Sequence, residues 1–347
     1  MSAATTQTAS RLEALDGLRA VAAIVVLAFH ARMPGFGGGF VGVDIFFVLS
    51  GFLITSMIKD EIEAHGRMDY RWFMWRRFAR LFPALLLFLA VFAAVAPWLY
   101  PSANVWNEVV LSGAYLSNYA KGFWNLPDFT HHSWSLAVEM QFYLVWPFVV
   151  IWLCRLRNGA AISALLLMFV AATLWRVGID AEYGLRRAYY PLDTRMSGLV
   201  IGGVLAFAPR ITSRPAALIL GIVSLCVLAI GVASMEFRHG TTMSWAGAIV
   251  DVASAALIAS LLVEAGWLAK GFSFRPLVAV GLWSYALYLW HYPVARLARD
   301  QFDGVTSTAI TLVVSLVLAA LTYYFYERHV SSWLRNYRPN RVSAPQV

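Results

Sequence analysis

Arg19 and His30 stand eleven residues apart in LDGLRAVAAIVVLAFH, a run otherwise apolar enough to cross a membrane. Eleven steps of about 100° close to within about 20° of three turns, so both side chains share one helix face, about 16 Å apart along the axis. An imidazole can take a proton from a hydroxyl near neutral pH, and a guanidinium grips anions with a planar fork. Asp44 opens the next apolar run, and Glu139, Arg195 and His291 fall in later ones. Counted from the ends of those runs, His30, Asp44, Glu139, Arg195 and His291 come to one depth. An ionisable group at the centre of a span costs at least about 2.5 to 3.5 kcal/mol, so five at one level point to a functional layer. A buried structural histidine is an equal account of His291 alone. Arg76, Arg77 and Arg80 in RWFMWRRFARLFP, one turn apart, suit a phosphorylated ligand, although a basic anchor with interfacial Trp72 and Trp75 explains the block as well.

These residues must be positioned by helices in a bilayer. Hydrophobic residues make up 60% of the chain and charged ones 13%, with mean hydropathy +0.65, outside the range of a soluble domain. The composition predicts an all-α, polytopic integral membrane protein of about ten transmembrane helices. They are expected near 13–31, 40–58, 81–99, 134–154, 160–177, 190–208, 215–234, 244–263, 277–295 and 305–326. The net charge of +8 does not indicate nucleic acid, because the basic residues concentrate on alternate connecting segments, from Lys59 to Arg80 above all. By the positive-inside rule those segments, and both termini, are cytoplasmic. Residues 100–133 form the longest outer segment, aromatic throughout and amphipathic around 104–118, suited to covering a site from outside. The leader MSAATTQTAS is uncharged and Arg19 interrupts the apolar run, which argues against a cleaved signal peptide. Cys154 and Cys226 both lie in spans, giving neither a disulfide framework nor a metal-ligand spacing, so no metal is expected. One transmembrane domain over 1–335 and a short basic cytoplasmic tail, 336–347, account for the chain.

In chain order, the Arg19 to His30 block, GVDIFFVLSGFLIT, RRFARLFP, HSWSLAVEMQFY, the TR of LDTRMSGLVIGG and SYALYLWHYP resemble the membrane-bound acyltransferase 3 family over nearly the whole length. The resemblance implies transfer of an acyl group, usually acetyl from acetyl-CoA, to a hydroxyl of a glycan or glycolipid. Lipopolysaccharide, exopolysaccharide, other envelope glycans and macrolide sugars are the typical acceptors, and the inner (plasma) membrane is the expected location. The family's Arg-x10-His motif falls on Arg19 and His30, its basic block on Arg76, Arg77 and Arg80, and its W-S-L-x-x-E block on Trp134, Ser135, Leu136 and Glu139. Ser197 and Met140 stand where the family often has Asp and a second Glu. The esterase-like domain fused to some members is not among these residues.

The expected mechanism follows. Arg19, Arg76, Arg77 and Arg80 hold the phosphates of acyl-CoA, whose arm spans the roughly 16 Å of helix rise to His30, the general base. Asp44 or Glu139 orients the imidazole, and Arg195 holds the oxyanion or the acceptor. Direct transfer and an acyl-His intermediate both remain open. Acceptor contacts are expected from His132, Trp134, Ser135, Tyr143 and His291. No cofactor is expected to be bound permanently, acyl-CoA being a co-substrate, and the oligomeric state is left open. The competing expectation is a secondary transporter, whose path is also lined by buried charge; two related halves with interrupted helices would mark one, and neither pattern is present.

Overall fold

A computed structural model describes residues 3–237, 241–263 and 266–336, and no strand occurs among them. The tail from residue 337 onward, with Arg338 and Arg341, lies outside the described residues, as does Arg238. The helices are α1 (Ala3–His30), α2 (Val41–His65), α3 (Tyr70–Leu99), α4 (Val105–Gly113), α5 (Ser117–Trp124), α6 (Trp134–Leu153), α7 (Asn158–Tyr183) and α8 (Leu185–Tyr189). They continue as α9 (Leu192–Phe207), α10 (Arg214–Ser234), α11 (Thr241–Leu261), α12 (Trp267–Phe272), α13 (Arg275–Leu282), α14 (Ser284–Arg299), α15 (Gly304–Thr322) and α16 (Arg328–Asn336). Local signals set their ends. α2 stops at Gly66, whose φ of 69° lets its N–H bond back to the Ile62 carbonyl. Asp69 then caps α3 by accepting from the Trp72 N–H at 3.0 Å.

Seven helical segments among the described residues are long and apolar enough to cross a membrane, against the ten spans expected. Of the remaining three expected spans, two fall on α1 and α9, and 277–295 is divided between α13 and α14 at Trp283. α1 carries Glu13, Asp16 and Arg19 within its apolar stretch. α9 and α14 have 16 residues each, about 24 Å of helix against a hydrocarbon core of about 30 Å. Both are enclosed by longer neighbours, α9 by α2, α6, α7 and α11, and α14 by α1, α3 and α15. The helices α1, α9 and α14 supply Arg19, His30, Arg195 and His291, so the helices least suited to face lipid are the ones that carry four of the expected site residues.

Backbones approach closely where those helices are gripped. At the α2–α9 contact, a methyl group added at Gly51 would strike the Leu199 carbonyl, and one at Gly202 the Val48 carbonyl. Such reciprocal glycines let helices pack by dispersion alone, without a hydrophobic drive inside a bilayer. Buried Phe47, Phe73, Phe88 and Trp146 fill the space between α2, α3 and α6. The segment between α3 and α6 folds back onto the bundle: α4 packs on α3, α5 on α6, and the Asn118 and Gln141 amides exchange two hydrogen bonds, each 2.9 Å.

Candidate active site

α1 ends at His30, and the chain turns away through Arg32 at φ 62°. The His30 ring is left half-buried against α14, with its Nδ1 2.9 Å from Nε2 of fully buried His291. His291 Nδ1 in turn lies 2.6 Å from the Tyr288 carbonyl oxygen. A carbonyl only accepts, so in neutral His291 the proton sits on Nδ1 and Nε2 is a lone pair. His30 must then donate from Nδ1, which leaves its own Nε2 unprotonated. With both rings neutral, the contacts from the Tyr288 carbonyl through His291 thus leave the lone pair of His30 on Nε2. The sequence suggested a carboxylate for this orienting role. A second neutral imidazole holds the position instead, and no carboxylate pairs with His30 among the described residues.

Two further histidines close around this pair. His131 packs edge-on at 5.9 Å between ring centres from His30, and His132 at 5.5 Å from His291. Tyr292 stands edge-on to His30 at 4.9 Å and to His131 at 4.3 Å. His132 donates from Nε2 to the Leu289 carbonyl at 3.1 Å, and Phe88 packs against its ring. No group of three His, Cys, Asp or Glu side chains among the described residues is arranged to hold a metal ion. Arg299 completes this end, donating from Nη1 to the His30 carbonyl at 3.2 Å.

The turn bearing His131 and His132 is held by Glu108, a buried acid on α4. Its carboxylate accepts from the N–H groups of Asp128 (2.8 Å), Phe129 (3.1 Å) and Thr130 (2.7 Å) and from the Thr130 hydroxyl (2.7 Å). Ser112, one turn on, lies 2.8 Å from both the Thr130 and Ser133 hydroxyls. Arg296 pairs with Asp128 at 3.0 Å and covers the Phe129 ring. Burial pushes the Asp128 carboxyl up, but the hydrogen bond and charge of Arg296 outweigh that and hold it below the ordinary carboxylate range.

Polar groups continue down the bundle from the histidines. The Tyr288 hydroxyl is 2.7 Å from Ser135 Oγ and donates to the His132 carbonyl at 2.9 Å. One turn beyond Ser135 on α6 comes half-buried Glu139, which accepts from the Tyr143 hydroxyl at 3.3 Å; that hydroxyl is also 2.8 Å from Ser50 Oγ. Arg19 and Arg80 lie within Coulombic reach of Glu139, and Arg77 of Tyr143. At this arginine end the cations differ in their partners. Arg19 bonds Asp16 at 2.9 Å and Arg76 bonds Glu61 at 3.1 Å. Arg77 points Nη2 at the Met57 sulfur, 2.8 Å away, and its Nε has no partner. Arg80 is exposed. The column from His30 to Arg77 therefore runs between α1, α2, α3, α6 and α14.

Asp44 and Arg195 belong elsewhere. They form a buried ion pair at 2.8 Å, with the guanidinium enclosed by the rings of Phe47 (5.5 Å), Trp134 (5.5 Å) and Tyr189 (4.5 Å). Beside them Arg176 donates to Ser197 at 3.1 Å and stands 3.8 Å from Asp251, while Ser197 donates to Asp251 at 2.7 Å. This network ties α2, α7, α9 and α11. The crevice above it is about 10 Å³, room for about one water molecule. Of the five groups set at one depth, the structure thus joins His30 with His291, joins Asp44 with Arg195, and leaves Glu139 to the lower column. Trp134 packs on Arg195, whereas Ser135, Tyr143 and His132 line the column. His131, Tyr288, Arg299 and Glu108 were not anticipated. The doubled histidine before WSL was the one available signal, since the others acquire meaning only through contacts between distant helices.

An acyltransferase-domain family model matches residues 12–326. Curated relatives include the peptidoglycan O-acetyltransferase OatA of Listeria monocytogenes, 32% identical over 90% of this chain and 54% of that protein. A putative peptidoglycan O-acetyltransferase, YrhL of Bacillus subtilis, is 33% identical over 91% of this chain and 54% of its own. A putative O-acetyltransferase of Staphylococcus aureus is 30% identical over 94% and 59%. The chain thus spans about half the length of these relatives. No solved structure matches. Bundle, histidine end and motif blocks all lie inside the matched span, and the chain belongs to this acyltransferase family.

Proposed function

We propose that the chain moves an acetyl group from acetyl-CoA, entering at the arginine end, to a hydroxyl of a cell-wall glycan at the histidine end. The observation that carries this is the column: polar side chains succeed one another from His30 and His291 past Tyr288, Ser135, Glu139 and Tyr143 to an arginine end, where Arg77 meets the Met57 sulfur and no carboxylate among the described residues. The basic bias of the segments around α3 supports a cytoplasmic arginine end and a plasma-membrane location. Among the envelope glycans expected from the sequence, the names of the Listeria and Bacillus relatives favour peptidoglycan over lipopolysaccharide or exopolysaccharide. Family membership replaces the transporter alternative.

In this mechanism Arg77 and Arg80, lacking carboxylate partners among the described residues, take the donor phosphates, with Arg19 and Arg76 beside them. His30 Nε2 removes the acceptor proton as its oxygen attacks the acyl carbonyl. The thiolate then leaves and takes that proton from the imidazolium, so no net proton is consumed. Tyr288, Ser135 and Tyr143 offer hydroxyls along the path of the pantetheine arm, and Glu139 holds Tyr143. Asp44 and Arg195 hold α2 against α9 instead of entering the reaction. The test uses the purified protein in nanodiscs with radiolabelled acetyl-CoA and isolated peptidoglycan strands, followed by mass spectrometry of the strands. An added acetyl group that His30→Ala abolishes is the expected result; unlabelled strands, or an unchanged rate in His30→Ala, would reject the mechanism.

A further inference from the structure

Acyl transfer develops negative charge on the carbonyl oxygen, and the sequence pointed to Arg195 for its stabilisation. In the structure the charge of Arg195 is already matched by Asp44 at 2.8 Å and boxed in by three aromatic rings. Another guanidinium stands at the base itself. Arg299, at the end of α14, reaches the His30 backbone at 3.2 Å and lies over Tyr292, the ring that is edge-on to both His30 and His131. Its neighbour on α14, Arg296, is already matched by Asp128. No carboxylate pairs with Arg299 among the described residues, and its buried Nε–H has no acceptor. A buried donor left open next to a base with a free lone pair has the form of a site awaiting an oxyanion.

We propose that Arg299 is the catalytic cation of the transfer site, donating to the oxyanion formed when the acceptor attacks; this rests on the assignment of His30 as base. The acceptor oxygen bonds to the acyl carbon while its proton passes to His30 Nε2. The carbonyl π pair moves onto oxygen, where the Arg299 N–H groups meet it. Collapse restores the carbonyl and breaks the C–S bond, and the departing sulfur takes the proton from His30. Arg299 starts and ends the cycle unchanged. The competing role is purely structural, a cap on the last carbonyls of α1, which a cation also favours.

The experiment compares parent, Arg299→Lys, Arg299→Gln and Arg299→Ala in nanodiscs, with radiolabelled acetyl-CoA, peptidoglycan strands, and melting temperatures in parallel. Removing one donor from an oxyanion site costs about 10² to 10³ in kcat. Arg299→Gln and Arg299→Ala should fall by that much with KM for acetyl-CoA within about threefold. Arg299→Lys should recover only part of the rate, since an ammonium lacks the fork. Guanidinium at non-denaturing concentration should raise the rate of Arg299→Ala and leave Arg299→Lys unchanged. A rate within threefold of parent in Arg299→Ala overturns the proposal. So does a loss that tracks melting temperature and resists guanidinium, which would make Arg299 a cap. His30→Ala, run alongside, separates the two claims: if it stays active the base assignment falls first, and if it is dead while Arg299→Ala is active only the present proposal falls. Should the parent be inactive on these strands, the acceptor is wrong, and the same series is scored on the slow hydrolysis of acetyl-CoA, with water as acceptor.

Discussion

Replacing His291 tests the tautomer relay directly. In His291→Phe the ring remains, but the acceptor 2.9 Å from His30 Nδ1 is gone. The site is buried, with His291 at 1% exposure, so water does not readily replace the lost partner. A buried N–H without an acceptor costs about 1 to 3 kcal/mol. His30 escapes that cost by moving its proton to Nε2, which removes the lone pair that the proposed mechanism uses. If the full penalty appears in the barrier, kcat falls by about 5- to 160-fold, at 1.36 kcal/mol per tenfold. His291→Gln is the paired control, because its amide oxygen can accept from His30 Nδ1 and should keep most of the rate. The assay is acetyl transfer from acetyl-CoA in nanodiscs, with kcat and donor KM measured separately; only kcat should move. Equal rates for His291→Phe and parent, or equal damage in His291→Phe and His291→Gln, would refute the relay.

Four further outcomes follow from the same contacts. Arg77→Ala should raise the KM for acetyl-CoA by about 10- to 160-fold, the worth of a charge-assisted hydrogen bond of about 1.5 to 3 kcal/mol, whereas Arg76→Ala, whose charge is partly matched by Glu61, should raise it less. Asp44→Asn leaves Arg195 buried without its partner and should destabilise the protein by about 3 to 5 kcal/mol; full thermal stability with lost turnover would return Asp44 to the catalytic set. Gly51→Leu should prevent assembly of α2 on α9, read as loss of monodisperse protein in detergent, because the new side chain meets the Leu199 carbonyl. The Asp128 carboxyl is held low, so its contribution is complete above its unfolded value of about 3.8 and is lost as pH falls below it; Arg296→Ala should flatten the acid limb of the melting curve there, and an unchanged limb would contradict the pairing.

What the sequence made legible was residue type and the helix on which each residue lies. The all-helical membrane architecture, the shared face of Arg19 and His30 and the arginine block on α3 all follow from local pattern, since helix periodicity relates residues within one element. Partners between elements do not. Depth alone set Asp44 beside His30, but depth carries no azimuth, and in the bundle Asp44 faces α9 while His30 faces α14. The span count differs for a related reason: α9 and α14 are apolar yet only 16 residues long, a length tolerated because neighbouring helices, not lipid, surround them. Glu108 sat in a segment whose pattern showed aromatics and an amphipathic stretch, and its partners are backbone N–H groups about twenty residues away, for which no side-chain pattern exists.

The neutral partner of His30 has a consequence for the order of events. In a hydrolase triad a carboxylate stabilises the imidazolium, so the proton can rest on histidine while the intermediate forms and decays. Here His291 and the Tyr288 carbonyl orient the ring without supplying negative charge, and Arg299 sits nearby. In the proposed reaction the counter-charge available to the imidazolium is then the oxyanion of the tetrahedral intermediate itself. Both charges arise in the same step and vanish in the same step, when sulfur leaves and takes the proton back. A site built this way gains little from protonating His30 before the acceptor attacks, since that would place a cation beside Arg299 with no anion to match it. It favours proton transfer concerted with attack, so the pairing of a neutral histidine relay with an uncompensated arginine suits direct transfer better than a long-lived acyl-histidine, in which His30 would be occupied and unable to serve as base.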